Sequence, residues 1–239
     1  RDEAIARERG DIQWLQQLQT ALHEDRFELA VQPIIAMRGR AESGPSVEVL
    51  IRLDDGLGRA TGSAEFLRPA ERYQMMPQID RWVLSKTITT LAAHADALRD
   101  SGATFAINLS GQSIGDDEIL KFIEEELEAS GLPASCLCFE VTESEAVSNL
   151  GKAQTFLQQL HDRGCAIALD DFGTGQARLL ELIEVAPRFL KFDVVLIEHL
   201  HLASRKRRDM VHSLVELARK WNITPIAECI EHAEEARAC

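Results

Sequence analysis

Gly164-Cys-Ala-Ile-Ala-Leu-Asp170-Asp171-Phe-Gly-Thr-Gly175 is the stretch whose reading decides the fold. A glycine stops a helical pattern, an apolar run follows from Cys165, and the run closes on two adjacent aspartates and a glycine-rich turn. The same unit recurs on either side. A helix from about Asp116 to Ser130 is stopped by Gly131 and leads into a strand from Cys136 to Val141. A helix from about Lys152 to Arg163 leads into the strand Cys165 to Asp170, and a short helix from Gln176 to Glu184 leads into Phe189 to Asp193. A helix over roughly Arg207 to Lys220 leads into Thr224 to Glu228. Upstream lie a helix from about Asp11 to Leu22, strands over Phe27 to Gln32 and Val47 to Leu53, and loops at residues 38–46 and around Gly56, Gly58 and Gly62. A long helix with Leu84, Ile88, Leu91, Ala95 and Leu98 at helical spacing then precedes a strand over Thr104 to Asn108.

Seven strands alternating with helices imply an α/β fold with a mainly parallel sheet and helices outside it. An open doubly wound sheet and a closed (β/α)8 barrel both fit. The absence of G-x-G-x-x-G after the first strand weakens the dinucleotide-binding option. A barrel needs an eighth strand, and the reading ends in the helix after the seventh, so the last strand is expected to be missing from the chain.

The 239 residues are 45% hydrophobic and 27% charged, which excludes disordered and collagen-like classes. A formal charge of -13 repels nucleic acid and anionic lipid, so no DNA or RNA partner is expected. The one basic run, Arg205-Lys206-Arg207-Arg208, reads as the solvated start of a helix. Five cysteines without a C-x-x-C pair read as reduced thiols in a cytoplasmic protein. No apolar run approaches 18 residues, so no membrane insertion is expected. The charged start Arg1 to Arg9 reads as a cut inside a longer chain, not as a signal peptide.

What closes each strand is the informative pattern. Gln32, Asn108, Glu140, Asp170-Asp171 and Glu228 end strands, and Lys191 and Asp193 sit in another. In a barrel those ends share one rim, where catalytic groups gather. Glu48 stands near the start of its strand and joins the rim only if that strand runs antiparallel to the rest. Each carboxylate taken alone reads as a helix cap or loop anchor. As a set, Glu48, Asn108, Glu140, Asp170, Asp171 and Glu228 need a cation to share, and oxygen donors suit Mg2+ or Mn2+ over zinc. Lys191 in an apolar strand is either half of a core ion pair, with an acid such as Asp193, or a cation aimed into the pocket. The scattered histidines read as surface or core residues.

These residues resemble the EAL domain family of bacterial cyclic di-GMP phosphodiesterases. The signature falls at Glu48-Val49-Leu50 with Arg52 beyond it. Further matches are Gln32-Pro33-Ile34, Asn108-Leu109-Ser110, Glu140-Val141-Thr142-Glu143-Ser144, Asp170 to Gly175, Lys191-Phe192-Asp193 and Ala227-Glu228-Cys229-Ile230-Glu231. Ala64-Glu65-Phe66-Leu67 and Ile79-Asp80-Arg81-Trp82-Val83-Leu84 also look like the family, and the coverage runs from about Arg26 to Glu231. The resemblance implies a modified (β/α)8 TIM-like barrel with one antiparallel strand. It implies that residues 26–239 form the phosphodiesterase domain and that residues 1–25 form a connector helix from an upstream GGDEF or sensory domain. By the same resemblance, Glu48, Asn108, Glu140 and Asp170 hold one divalent ion, while Asp170 and Asp171, with Glu228 close by, serve a second. Lys191 positions or activates the water, and Lys191, Glu48 and Glu228 form the catalytic set. Gln32, Leu50 and Arg52 contact the dinucleotide, and Glu143 anchors the loop after Asp171, coupling it to a homodimer interface. The product is linear pGpG, the location is cytoplasmic, and the full-length protein is open to a membrane anchor.

The sequence departs from the family at Val49, where alanine is usual and a larger side chain is expected to crowd the rim, and at Cys229, where glycine is usual. Gln176-Ala177-Arg178 and Val194-Val195 also differ. No ligand type is lost, so hydrolysis leads. A receptor that binds cyclic di-GMP without cleaving it and a purely structural barrel are the competing readings.

Overall fold

The computed structural model describes residues 14–37, 46–54, 60–173 and 184–238. Asp11, Ile12 and the short helix expected from Gln176 lie outside those residues, as does Gln176-Ala177-Arg178. Among the described residues all seven expected strands form, and they make one curled sheet. β1 (Phe27–Ile34) runs antiparallel to β2 (Ser46–Asp54). β4 (Thr104–Asn108), β5 (Leu137–Thr142), β6 (Ala166–Phe172), β7 (Phe189–Phe192) and β8 (Thr224–Ala227) follow β2 in that order, each parallel to the one before. The architecture is therefore a TIM-like α/β barrel with an antiparallel first strand, and among the described residues β1 and β8 share no ladder.

Two expectations about the strands need correction. β2 is parallel to its barrel neighbour β4, so Glu48 does not reach the rim by strand reversal. Also, the stretch read as loop up to Gly62 ends in a short strand, β3 (Ala60–Gly62), which pairs antiparallel with β2 through Arg52, Leu53 and Asp54. Three residues with little apolar patterning give no strand signal, and the ladder with β2 supplies what propensity does not.

Alternation along the strands sorts the side chains into two layers. Val49, Ile51, Ile107, Phe139, Val141, Ile167, Leu169, Leu190 and Phe192 point outward into one continuous core. The helices that cover it are α1 (residues 14–23), α2 (Ser63–Arg72), α3 (Met76–Ala92), α4 (Ala95–Arg99), α5 (Asp117–Ser130), α6 (Glu143–Ser148) and α7 (Leu150–Asp162), then α8 (Val194–Ile197), α9 (Arg205–Lys220) and α10 (Ala233–Ala238). The long helix expected through Leu98 breaks at Ala93-His94 into α3 and α4. No glycine or proline marks that break, and the structure offers no local reason for it.

The opposite faces of the strands form a second, smaller cluster inside the barrel. Ala106, Cys138, Ala166, Ala168 and Phe189 are its buried members. Small side chains on three adjacent strands, β4, β5 and β6, leave room above them for longer polar ones, and that is where the site stands.

Val49 lies on the outward face, 5% exposed, within the helix-facing core. It does not crowd the rim, because residues one apart on a strand point to opposite faces.

The two layers make separable predictions about stability. Phe139→Ala, which hollows the outer core behind Glu140, should lower the unfolding free energy by ~3–5 kcal/mol. Val31→Ala, at an exposed position, should change it by less than about 0.5 kcal/mol. Urea denaturation of the two variants checks both values.

Candidate active site

Lys191 is buried, with its Nζ at the centre of the inner face. Its neighbours Leu190 and Phe192 point into the outer core, so alternation sends the lysine inward. Nζ lies 2.9 Å from Asp170 Oδ2, 3.0 Å from Glu140 Oε2, 2.9 Å from Glu228 Oε1 and 3.4 Å from Glu48 Oε2. The four acids come from β6, β5, the residue after β8, and β2. Asp193, the sequence-stretch neighbour read as a possible partner, instead caps α8 by accepting the Val195 N–H at 2.7 Å. The core-pair reading of Lys191 with Asp193 therefore fails, because Asp193 lies past the end of β7 and its carboxylate is committed to the start of α8.

Glu48 reaches this centre because its partner across the ladder is Ala106, whose small side chain leaves the way open. Its Oε1 also accepts a hydrogen bond from Asn108 Nδ2 at 2.9 Å. With its amide nitrogen committed to Glu48, Asn108 has its carbonyl oxygen left to offer a cation. Asn108 stands opposite Glu140 in the β4–β5 ladder.

Adjacent aspartates on a regular strand would face apart. Here the β6–β7 register shifts between Leu169 and Phe172, so Asp170 and Asp171 together oppose Lys191. Such a bulge re-aims side chains. Asp171 takes a positive φ of 54°, and its N–H donates to Asp170 Oδ1 at 2.7 Å. As a result, single carboxylate oxygens of Asp170, Asp171 and Glu228 lie within 4.8 Å of one another. Gly173 follows with φ 107°, and a Cβ there would collide with Leu196 of α8. The turn therefore requires glycine.

The charges at this mouth do not balance. Five carboxylates, those of Glu48, Glu140, Asp170, Asp171 and Glu228, face one ammonium. Burial, with the nearby charges of Glu48 and Asp170 adding to it, pushes the Glu140 carboxyl up to about 8 despite the opposing pull of Lys191. Burial and the Asp170 charge likewise raise Asp171 and Glu228. Burial alone would lower the Lys191 pKa, but Glu140, Asp170, Glu48 and Glu228 override it and raise it, so the lysine keeps its proton. Hard oxygen donors in excess of local positive charge are the donor set that divalent Mg2+ or Mn2+ accepts.

Second-layer contacts hold the rim. Buried Glu143, at the start of α6, accepts the Gly173 N–H at 3.3 Å through Oε2. Its Oε1 finds no hydrogen-bond partner among the described residues. Three contributors were not singled out from the sequence. Asp80 on α3 accepts from Ser110 N at 3.2 Å, Ser110 Oγ at 2.6 Å and Ser113 Oγ at 2.7 Å, which fixes the loop after Asn108. Burial raises Asp80 to about 6 even against those hydrogen bonds. Glu145 completes a capping box with Thr142 and also accepts the Gly111 N–H at 2.7 Å. Glu235 on α10 binds three backbone N–H groups. Asp80 had a legible signal, since an acid stood on the apolar face that carries Leu84, Thr87 and Ile88.

Gln32, Leu50 and Arg52 share one face of the β1–β2 hairpin with Glu48. Gln32 is directly opposite Glu48, Leu50 is opposite Ala30, and Arg52 is opposite Glu28. Among the described residues none of the three pairs with Lys191 Nζ. Arg52 Nη1 donates to the Ile51 carbonyl at 2.9 Å. Cys229, next to Glu228, holds φ at 53°. That backbone favours glycine and costs an L residue about 1–2 kcal/mol.

A curled barrel with an acidic, lysine-centred mouth at the carboxyl ends of its strands places this chain among barrel proteins whose site is an oxygen-donor cage. The EAL domain family model matches residues 15–239. The chain belongs to the EAL domain family. Among its relatives, the cyclic di-GMP phosphodiesterase PdeB of Shewanella oneidensis is 31% identical over 234 residues, covering 98% of this chain and 27% of that protein. The cyclic di-GMP phosphodiesterase PdeF of Escherichia coli is 33% identical, covering 93% of this chain and 29% of that protein. The chain thus spans under a third of the length of these relatives. Among solved structures, the FimX EAL domain of Pseudomonas aeruginosa bound to c-di-GMP superposes with a TM-score of 0.84 at 28% identity, covering 94% of this chain and 88% of that one. The PaMucR phosphodiesterase in its c-di-GMP complex gives 0.84 at 29% identity, with 95% and 90% covered.

The raised Glu140 pKa carries a signed consequence. A carboxyl whose folded pKa exceeds its unfolded value contributes stability below pH ~4.5 that is lost as pH rises through about 8. In EDTA, Glu140→Gln, which stays neutral, should therefore gain thermal stability relative to wild type as pH rises from 5.5 to 8.5. Melting curves of both proteins at the two pH values measure that difference. A constant or shrinking difference contradicts the crowding of charge described above.

Proposed function

We propose that this chain hydrolyses cyclic di-GMP to linear 5'-pGpG with Mg2+ or Mn2+. The ions would be held by Glu48, Asn108, Glu140, Asp170, Asp171 and Glu228. The observation that carries this reading is the meeting of five carboxylates from four barrel segments at one buried ammonium. The names of the relatives PdeB and PdeF, and the c-di-GMP in two of the similar structures, support the choice of substrate. When bound, divalent ions neutralise phosphodiester charge and make a water acidic enough to attack at neutral pH.

The residues divide the remaining work by depth. Glu140 is the deepest of the lysine's partners, and Glu48 and Glu228 have the most exposed side chains, at 18% and 24%. Glu48 and Glu228 therefore face the incoming phosphate. Lys191 Nζ holds its proton and orients a water or a phosphate oxygen by donation; a protonated ammonium is not the general base. Arg52, Leu50 and Gln32 present a cation, an apolar surface and an amide to the two halves of the dinucleotide. Glu143 holds the Gly173 turn and so fixes Asp171. We further propose that the domain works as a homodimer in the cytoplasm under an upstream GGDEF or sensory domain. The cysteines Cys136, Cys138, Cys165 and Cys229 are free thiols, which suits that compartment. Among the described residues no helix is long and apolar enough to cross a membrane.

Incubation with cyclic di-GMP and Mg2+ or Mn2+, with chromatographic separation of the products, tests the proposal. Wild type should release pGpG, EDTA should stop it, and Glu48→Ala should lower turnover by at least about 100-fold, the scale of losing one transition-state contact. Tight nucleotide binding without product would instead identify a receptor, and no binding by calorimetry would leave a structural barrel.

A further inference from the structure

Glu228 has weak support from the sheet. β8 pairs with β7 on one side, and among the described residues no strand pairs with its other edge. Beyond β8 the Glu228 N–H reaches the Phe192 carbonyl at a long 3.4 Å. Cys229 then bends the chain through a positive φ, and residues 229–232 belong to no helix or strand. Ile230 packs partly against the core, and that leaves the backbone polar groups of the segment to be satisfied.

Glu235 satisfies two of them, the N–H groups of Glu231 and His232. Its side chain is 4% exposed. Oε2 accepts the N–H groups of Glu231 and His232, both at 3.2 Å. Oε1 accepts the N–H of His199 at 3.3 Å, and His199 Nδ1 lies 3.8 Å away. His199, itself at φ 53°, belongs to the connection that follows α8, and α8 packs Leu196 over Gly173 beside the Asp170-Asp171 bulge. One carboxylate therefore joins the segment that carries Glu228 to the connection that backs the paired aspartates.

A simpler account exists. Glu235 is the third residue of α10, and its bond to the His232 N–H is half of a capping box. A cap, however, needs neither the Glu231 N–H nor the His199 N–H 36 residues away, and a buried carboxylate is kept only where several donors repay its desolvation.

We propose that Glu235 is a positioning residue that fixes Glu228 against Asp170 and Asp171, and so sets the affinity of the site for a divalent cation. This rests on the reading of Glu228 as a cation ligand. Partners that orient ligands in this way typically change metal affinity by about 10- to 100-fold when removed.

The test uses the full chain and Mn2+ alone, with free Mn2+ measured by electron paramagnetic resonance and melting temperature recorded in EDTA. Glu235→Ala should weaken Mn2+ binding about 10-fold or more. Glu235→Gln, which keeps one acceptor oxygen, should fall between it and wild type, and Glu234→Ala, an exposed neighbour on α10, should leave binding unchanged. If Glu235→Ala is insoluble, the Gln variant decides. A lower melting temperature with unchanged Mn2+ affinity in the Glu235 variants would reduce the residue to a helix cap and overturn the inference, while leaving the hydrolase reading intact. Wild type that binds no Mn2+ would overturn both.

Discussion

Burying an ammonium in a protein interior costs several kcal/mol unless opposite charge surrounds it. At Lys191 that cost is met by Glu48, Glu140, Asp170 and Glu228, each from a different barrel segment. The requirement works in both directions. The four acids would repel one another at this spacing without a shared cation, and the lysine would lose its charge without them. Strand order, register and the inward face of β7 all have to be correct for the contact to exist. The arrangement is over-supplied with negative charge once Asp171 joins it, and Asp170, Asp171 and Glu228 form a group that could hold a metal ion.

The barrel makes room for this in a specific way. Four of the inner residues below the cluster are Ala106, Cys138, Ala166 and Ala168. Larger side chains there would fill the lumen and push the acids out of reach of the lysine. Above them, the β6–β7 bulge lets two consecutive aspartates face the mouth. The rim itself is held by carboxylates used as backbone acceptors: Asp80 for the turn after β4, Glu145 for Gly111, Glu143 for Gly173 and Glu235 for the segment after Glu228. Acidic residues thus serve two roles in this protein, separated by what they face. Those spent mainly on backbone N–H groups fix loops, and those gathered around Lys191 make the charged mouth.

Much of this was legible in the sequence because it follows from short-range pattern. Apolar runs that reach Asn108, Glu140 and Asp170 mark the strands, although β5 and β6 each continue two residues further, and Gly131 and Gly164 mark helix stops, so the strand–helix rhythm needed no tertiary information. What could not be read depends on pairing. Glu48 seemed to stand at the wrong end of its strand, because the small Ala106 that lets it reach inward is 58 positions downstream and belongs to another strand. Val49 looked like an obstruction until alternation placed it in the outer core. The bulge at Asp170-Asp171 is a mismatch between two strands and has no signature in either one. Glu235 lies past the last recognisable motif, and its partners include a backbone N–H far away in sequence. A backbone donor carries no side-chain identity to notice.

The account stands on the acidic side chains sharing cations at the mouth around Lys191. Anomalous diffraction at the manganese edge, from crystals of the chain grown with Mn2+, measures this directly. The account predicts a peak bounded by the carboxylates of Asp170, Asp171 and Glu228, with Lys191 drawn away from at least one of its four partners. A folded barrel in which Lys191 keeps all four contacts and no anomalous density lies among those carboxylates would contradict it.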